Sequence, residues 1–253
     1  MPVTATDRFS RGKSVLPAAM ALFFMLAPLQ VKAFRAGDRH VNLNGQSLDV
    51  TWDSLTMAPQ NITAVGSDLL EIKNIAGLTK SEINEIGALL VGKYGSLLKV
   101  PPEHLVLKKA EKTDGIWRVS YQQRVRGMAV YDSSLVFSID TDGHIKSLDA
   151  MLYPNARAPG SVKIHRGQAI KAAQSSLPAT ERKEYRLFAE NMAIFPERNA
   201  GSVEYRQVFV INMFPRKNGK SSSSGGCAVI VDAQTGKVVR IQALQKSQGC
   251  SLP

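Results

Sequence analysis

A stretch of alternating residues between Trp117 and Arg126 constrains the fold of this chain more than any other segment. One set, taken at every second position, is Trp117, Val119, Tyr121, Gln123 and Val125. The set between them is Arg118, Ser120, Gln122, Arg124 and Arg126. Successive side chains of a β-strand point to opposite faces, so this pattern predicts a half-buried strand with a mainly apolar inner face and a basic, polar outer face.

Two short turns follow this strand. Arg126-Gly127-Met128 interrupts the alternation, and a glycine there can adopt turn conformations that a β-carbon would resist. Ala129–Asp140 is predicted to form a second strand, and the segment Thr141-Asp142-Gly143 a second turn. His144–Leu152 is predicted to be the third strand. Three strands with two short connections indicate an antiparallel meander.

A helix is predicted ahead of the meander, over Thr79–Leu98. Thr79 and Glu82 have the spacing of a capping box, in which hydroxyl and carboxylate each bond a backbone N–H at the helix start. Two glycines within the helix, Gly87 and Gly95, are candidates for close approach to the sheet. A further strand, His104–Glu111, follows. One helix with four strands predicts an α+β unit in which the helix lies across a curled sheet.

A second unit with the same order of elements is predicted after a Pro- and Gly-containing linker. The helix is expected at Ile164–Leu177. The strands are expected at Tyr185–Phe195, Val203–Phe214, Cys227–Asp232 and Lys237–Leu244, with a polar loop, residues 215–226, before the last pair.

The meander resembles a module found in the pro-regions of fungalysin- and thermolysin-type metalloproteases. The residues that carry this resemblance are Tyr121, Gln122, Gln123, Gly127 and Val130, followed by the run Leu135–Gly143, which includes Asp142 and Gly143. In that family a glutamine pair, a glycine and a valine precede a strand and an Asp-x-Asp-Gly turn.

The second unit resembles a PepSY domain. Its helix contains Gly167–Ala173, and its closing hairpin contains Asp232, Thr235 and Gly236 in the family's V-D-A-x-T-G-x-V pattern. Both resemblances imply cystatin-like units, so the predicted fold is α+β with two cystatin-like units, each a helix packed on a curled antiparallel sheet. The predicted boundaries are 75–153 for the first module, 154–163 for the linker, 164–245 for the PepSY-like module and 246–253 for a C-terminal tail.

The N-terminal 33 residues have the pattern of an export signal. Arg8, Arg11 and Lys13 precede an uncharged run, Val15–Val31, and small or apolar residues allow a cut between Ala33 and Phe34. A membrane anchor is the alternative, but the run is short for a span and contains two prolines. We therefore expect a secreted or periplasmic protein with no stable membrane span in its mature part. Residues 34–74 are predicted to form an extension of loops and short strands.

No catalytic, metal or cofactor site is predicted from the residues. The four histidines, His40, His104, His144 and His165, lack the spacing of a zinc-binding HExxH helix. No serine lies in a nucleophile elbow. The aspartates of the two hairpin turns are expected to bond the local backbone. The sequence thus predicts a non-enzymatic protein.

The two cysteines, Cys227 and Cys250, are a candidate disulfide. An even cysteine count in an exported protein favours a bridge, which would tie the C-terminal tail to the last hairpin. Two free thiols are the alternative.

The net charge of +11 favours acidic partners or surfaces. The basic residues are dispersed and form no nucleic-acid-binding motif, so we expect no nucleic-acid partner. Arg118, Arg124 and Arg126, on the outer face of the central strand, are candidate partner contacts. A solvated strand face is the alternative for each of them.

The resemblance implies an exported, non-catalytic protein that inhibits a thermolysin-type zinc protease, assists its folding, or does both. Two alternatives stay open at this stage. The chain could be the pro-part of a truncated secreted metallopeptidase precursor, or an extracytoplasmic binding module unrelated to proteolysis.

Overall fold

Strands make up most of the regular structure in the described part of the chain. The computed structural model describes residues 39–73, 75–179, 182, 185–215 and 226–244. Its strands are β1 (His40–Leu43), β2 (Gln46–Trp52), β3 (Pro59–Ala64), β4 (Leu70–Glu71), β5 (Leu105–Thr113), β6 (Ile116–Val125), β7 (Met128–Val130), β8 (Ser134–Ile139), β9 (His144–Ile145), β10 (Ser147–Met151), β11 (Tyr185–Asn199), β12 (Ser202–Pro215), β13 (Cys227–Asp232) and β14 (Val238–Ala243). The α-helices of these residues are α1 (Lys80–Leu98) and α2 (Arg166–Ser176).

Strand β6 has the two faces that the sequence predicted. Val119, Tyr121, Gln123 and Val125 are buried and Trp117 is half-buried, whereas Arg118 and Arg124 are exposed. Val119 and Tyr121 belong to the apolar core that α1 covers, and Trp117 packs against it, whereas Val125 belongs to a smaller cluster with Val130 and Ile194. The prediction for this strand is confirmed from Trp117 to Val125, but Arg126 lies beyond the strand end, in the turn.

The predicted meander is present, but each of its later strands is divided. β6, β8 and β10 are antiparallel neighbours, as predicted. The expected strand Ala129–Asp140 is divided into β7 and β8 by the turn Tyr131–Ser133, and the expected strand His144–Leu152 is divided at Lys146 into β9 and β10. We call Tyr131–Ser133 the branch turn, because the sheet divides there.

At the branch turn, the two short strands that follow β6 along the same edge take different partners. β7 pairs with the end of β6 and then, in parallel, with β11 through Ala129 beside Ala193 and Val130 beside Ile194. β8 pairs with the first half of β6 and leads to β10, β3, β2 and β1, and we call these strands, together with β5 and β6, the first branch. The second branch continues from β7 through β11, β12 and β13 to β14.

The prediction of two separate cystatin-like units is therefore wrong. The described strands form one mixed sheet of twelve strands, together with a small sheet of β4 and β9. The physical reason is that β7 leaves one backbone edge open, and β11 uses it, so the strands of both predicted units hydrogen-bond into a single sheet. The described part of residues 34–74 contributes the short strands β1, β2 and β3 to that sheet.

Helix α1 covers one face of the first branch. Its capping box is confirmed, since the Glu82 carboxylate accepts from the Thr79 N–H at 2.7 Å and the Thr79 hydroxyl accepts from the Glu82 N–H at 3.3 Å. Gly87 makes the predicted close approach: a β-carbon there would lie 1.8 Å from the Tyr121 hydroxyl oxygen. Gly95 does not, because no heavy atom lies within 4 Å of its β-carbon position.

Helix α2 covers one face of the second branch. It starts at Arg166, two residues later than predicted, and Gln168 accepts a hydrogen bond from the His165 N–H at 2.8 Å. Ala169 and Ala173 pack on β12 and β13. The opposite face of these strands holds a separate apolar cluster that includes Phe195. All six residues of β13 are buried, since α2 packs on one face and the side chains of Tyr131, Val239 and Leu244 pack against the cluster on the other.

Several sequence predictions fall outside the described residues. They are the export signal with its cut between Ala33 and Phe34, residues 216–225 of the polar loop, and Cys250. The Cys227–Cys250 disulfide and the domain boundaries accordingly stay predictions. Neither of the described α-helices is long and apolar enough to cross a membrane.

Candidate functional site

A groove crosses the sheet beside the branch turn, on the face opposite α1. It encloses about 310 Å³. Its lining comes from both branches. The lining residues include Lys108 on β5, Gln122 and Arg124 on β6, Ala129 on β7, Asp132 in the branch turn, Asn191 and Ala193 on β11, Asn212 on β12 and Ala228 on β13. We call it the junction groove.

Strand register explains why residues so distant in sequence share this face. Arg124 lies opposite Ala129, and Ala129 lies beside Ala193 across the parallel ladder. Farther along, Asn191 lies opposite Val210 and Asn212 opposite Ala228. Directly paired residues of adjacent strands project to the same side of a sheet. The outer face of β6, with its arginines, therefore continues without interruption onto the second branch.

The groove has a small apolar floor and amide-bearing walls. Ala193, Val210 and Ala228 are buried in its floor. The walls carry the side-chain amides of Gln122, Asn191 and Asn212. The structure shows no hydrogen-bond partner for these amides among the described residues. Each amide offers a carbonyl acceptor and two N–H donors, so the walls can accept and donate hydrogen bonds at once.

Cations outnumber carboxylates around the groove. Lys108 and Arg124 line it, and Asp132 is the carboxylate among the described lining residues. Arg240 lies nearby, with its guanidinium 4.9 Å from the ring centre of Phe195. Asp132 has the left-handed backbone conformation (φ +56°) that the branch turn requires. Burial raises the pKa of the Asp132 carboxyl, and Arg240 and Lys108 oppose that rise.

Tyr131 closes one side of the groove and belongs also to a second cavity of about 250 Å³. Its hydroxyl donates to Gln242 of β14 at 3.1 Å. Burial, followed by the charge of Asp132, raises the pKa of the Tyr131 hydroxyl. The tyrosine therefore stays a neutral donor at physiological pH and ties the branch turn to the last strand.

Buried polar residues hold the branch turn in place. Gln123 is buried, and its amide donates to the Tyr153 carbonyl at 2.8 Å and accepts from the Tyr153 N–H at 2.9 Å. The Ser133 hydroxyl accepts from the Gln123 N–H at 3.0 Å and donates to the Val130 carbonyl at 2.6 Å. These bonds fix the conformation of the branch turn, through which the chain passes from β7 to β8, and so they position the groove.

An ion pair joins the two branches at the second cavity. The Asp53 carboxylate, after β2, accepts from Arg198 of β11 at 2.7 Å and from the N–H groups of Thr56 and Leu55 at 2.8 and 3.0 Å. Burial alone would raise the pKa of Asp53, but the bonds from Thr56, Arg198 and Leu55 outweigh it and lower the pKa to about 2. Asp53 therefore stays charged at physiological pH.

The three arginines proposed as partner contacts have different positions. Arg124 lines the junction groove, whereas Arg118 lies farther along the same exposed face of β6. Arg126 occupies the hairpin turn with Gly127, and both residues have a positive φ, +51° and +80°. The geometry therefore brings Arg124 to the groove and leaves Arg126 outside the strand face.

Most of the other motif residues contribute to the fold. The side chains of Tyr121 and Gln123 donate hydrogen bonds to backbone carbonyls, and Val130 is buried. Gly143 lies so close to the Ile72 carbonyl that a β-carbon would not fit. In the last hairpin, Asp232 accepts from the N–H groups of Gln234 and Thr235, both at 2.8 Å, and Gly236 has a φ of +72°. By contrast, Gln122 and Asp142 have outward side chains, and only Gln122 borders the groove.

Sequence reasoning missed the residues that the second branch contributes to the groove. Asn191, Asn212 and Ala228 stand in runs whose spacing predicts strands and nothing more. Their proximity to Arg124 depends on the parallel pairing of β7 with β11, which no motif marks. Among the described residues, no group of three or more His, Cys, Asp or Glu side chains is placed to hold a metal ion.

Residues 103–149 match the Fungalysin/Thermolysin Propeptide Motif. The matched segment runs from the turn before β5 into β10. It therefore contains β6, the branch turn, and the first-branch residues of the groove. The match covers less than half of the chain, so it describes this segment rather than the whole protein.

No curated protein matched the sequence. The C-terminal domain of Bacillus megaterium YpeB is similar in structure, with 15% identity, a TM-score of 0.42, and coverage of 79% of this chain and 77% of that chain. An uncharacterized protein from Eubacterium rectale gives 13% identity, a TM-score of 0.43, and coverage of 80% and 75%. Similarity at this level supports no inference about function.

Proposed function

We propose that this chain is a non-catalytic, extracytoplasmic protein of the pro-region type, which binds a thermolysin- or fungalysin-type metalloprotease and acts as its inhibitor, its folding chaperone, or both. The match of residues 103–149 to a propeptide motif is the observation that carries this proposal. The resemblance of the second branch to a PepSY domain, through Asp232, Thr235 and Gly236, supports it.

The arrangement of the matched segment also supports a binding role. Its inward motif residues, Tyr121 and Gln123, hold α1 and the branch turn. Its outward face presents Arg118 and Arg124 to solvent. A sheet face with projecting cations can bind the acidic surface of another protein, and such charge complementarity mainly speeds association and sets specificity.

The proposal predicts saturable inhibition of a cognate metalloprotease. The purified chain would be titrated against thermolysin-type enzymes, foremost one from the same organism, and residual peptidase activity recorded. A refolding series, with protease denatured and renatured with and without the chain, tests the chaperone role. We expect inhibition, an increased yield of active enzyme, or both.

A matched pair of variants locates the contact. R118E/R124E should weaken inhibition about tenfold or more, because each substitution reverses a charge on the proposed face. K171E, on the exposed surface of α2, should leave it unchanged. Neither inhibition nor rescue with the cognate protease would refute the proposed function, and the groove described below would still be testable separately.

A further inference from the structure

We propose that the junction groove is a peptide-binding site, which takes an extended segment rich in Asp or Glu across the join between the two branches. This goes beyond the proposed function, because it holds for any protein that offers such a segment. It follows from the shape, the hydrogen-bonding groups and the charges of the groove.

The floor of the groove suits a polypeptide main chain. Ala129, Ala193 and Ala228 come from three different strands and have the smallest side chains that a strand can carry apart from glycine, whereas β12 contributes Val210. A ligand backbone can therefore approach the sheet closely over β7, β11 and β13, and over β12 it meets the Val210 side chain. Larger floor residues would leave room only for the tips of ligand side chains.

The walls offer paired donors and acceptors at several points. The amides of Gln122, Asn191 and Asn212 lie on β6, β11 and β12 and have no hydrogen-bond partner among the described residues. A side-chain amide can bond the N–H and the C=O of a peptide unit together. Three such amides spread along one groove fit a ligand that repeats the same polar group at regular intervals, as an extended peptide does.

The charges select an acidic ligand. Lys108 and Arg124 line the groove and Arg240 lies next to it, whereas Asp132 is the carboxylate among the described lining residues. None of these three cations forms an ion pair within the described part of the chain. A carboxylate brought into the partly enclosed groove would meet them with less screening than on an open surface.

The width of the groove sets the length of the segment. From β5 to β13 the sheet order is β5, β6, β7, β11, β12 and β13, which is five spacings. At about 4.8 Å per spacing this is roughly 24 Å, or about seven residues of extended chain at about 3.3 Å per residue. An octapeptide is therefore long enough as a probe.

A single-stranded nucleic acid would share the negative charge but fits the lining less well. Proteins that bind such strands stack the bases on several exposed aromatic side chains. Tyr131 is the aromatic residue of the described lining, and its hydroxyl is bonded to Gln242. The amide walls and alanine floor favour a peptide.

The test uses fluorescence anisotropy with two labelled octapeptides that alternate small residues with Glu or, in the second peptide, with Lys. We expect saturable binding of the Glu peptide to the full chain, at least about tenfold tighter than of the Lys peptide, and weakened by added salt. Equal binding of the two peptides, no binding of the Glu peptide, or tighter binding of a labelled oligothymidylate would overturn the proposal.

Charge-reversal variants distinguish peptide binding in the groove from a general attraction between an acidic peptide and a basic protein. R124E and K108E should each weaken binding about tenfold, while R118E, on the same face of β6 but outside the groove, and K171E on α2 should stay within about twofold. Thermal melts would confirm that each variant is folded. If K108E is folded and binds like the parent, or if R118E and K171E weaken binding as much as R124E, the groove is not the site.

Discussion

A single missing β-carbon at Gly87 determines how closely α1 approaches the sheet. The Tyr121 hydroxyl oxygen and ring occupy the space where that carbon would be, at 1.8 and 2.4 Å, and the hydroxyl lies 3.4 Å from the Asn84 carbonyl. Burial raises the pKa of the Tyr121 hydroxyl to about 12, so it remains neutral in this contact.

Gly87→Ala should therefore lower the free energy of unfolding by about 1–3 kcal/mol, because the helix or the tyrosine ring must shift. Gly95→Ala is the matched control in the same helix. Nothing lies within 4 Å of its β-carbon position, so the substitution should be neutral or raise stability by up to about 1 kcal/mol through better helix propensity. Urea unfolding of both variants would check this, and equal effects would contradict the proposed role of Gly87.

The sequence allowed local contacts of α1 to be predicted, but not its contacts with distant segments. The Thr79–Glu82 capping box could be predicted because both partners lie within one helical turn. Gly87 and Gly95 could not be distinguished in the sequence, since both lie in the same helix and their difference depends on which of them faces Tyr121. Packing between α1 and β6, which are distant in the chain, determines which glycine is in close contact. Local sequence does not encode that packing.

At the scale of elements, the adjacent glutamines of β6 have opposite roles. Gln123 points inward and bonds both backbone groups of Tyr153, which follows β10. Gln122 points outward and is half-buried at the junction groove. The alternation of β6 predicted that they would lie on opposite faces, but not that the inner one would anchor the branch turn.

Gln123→Leu should cost about 2–4 kcal/mol of unfolding free energy, because it leaves the buried N–H and C=O of Tyr153 without partners. Gln122→Leu should change stability by no more than about 0.5 kcal/mol, as is usual for surface positions. Parallel denaturant melts of the two variants give the comparison. A stable Gln123→Leu protein would show that Ser133 alone holds the turn.

The joining of the two branches was the part of the fold that the sequence did not predict. Strands β6, β8 and β10 could be predicted because each alternates over several residues. The ladder between β7 and β11 involves only Ala129, Val130, Ala193 and Ile194, too few for a periodic signal. For the same reason the groove, which depends on that ladder, could be predicted only for its β6 side.

For the whole molecule, the Asp53–Arg198 pair links segments 145 residues apart. The pKa of Asp53 in the folded chain is about 2, below its ordinary value of 3.8. A lowered pKa means that the charged form stabilises the fold. That contribution is complete above about pH 4 and is lost as the pH falls towards 2.

Asp53→Asn should therefore destabilise the chain by about 2 kcal/mol at neutral pH, and the difference from the parent protein should shrink towards zero near pH 2. Chemical unfolding over a series of pH values would measure it. Asp142→Asn, which removes an exposed carboxylate that has no ion-pair partner among the described residues, is the control and should change the free energy of unfolding at neutral pH by no more than about 0.5 kcal/mol. A pH-independent effect of Asp53→Asn would disprove the linkage.

The short parallel ladder also sets an order of assembly. Within each branch, many strands pair with near neighbours in the chain, as β5 does with β6 and β11 with β12. Ala129 and Ala193 meet only after all the intervening chain has been brought round, and the entropy of closing that loop is offset by a two-residue ladder together with the Asp53–Arg198 pair and the Tyr131–Gln242 bond. The two branches should thus fold early and dock late, so the junction groove comes into existence only in the final kinetic step.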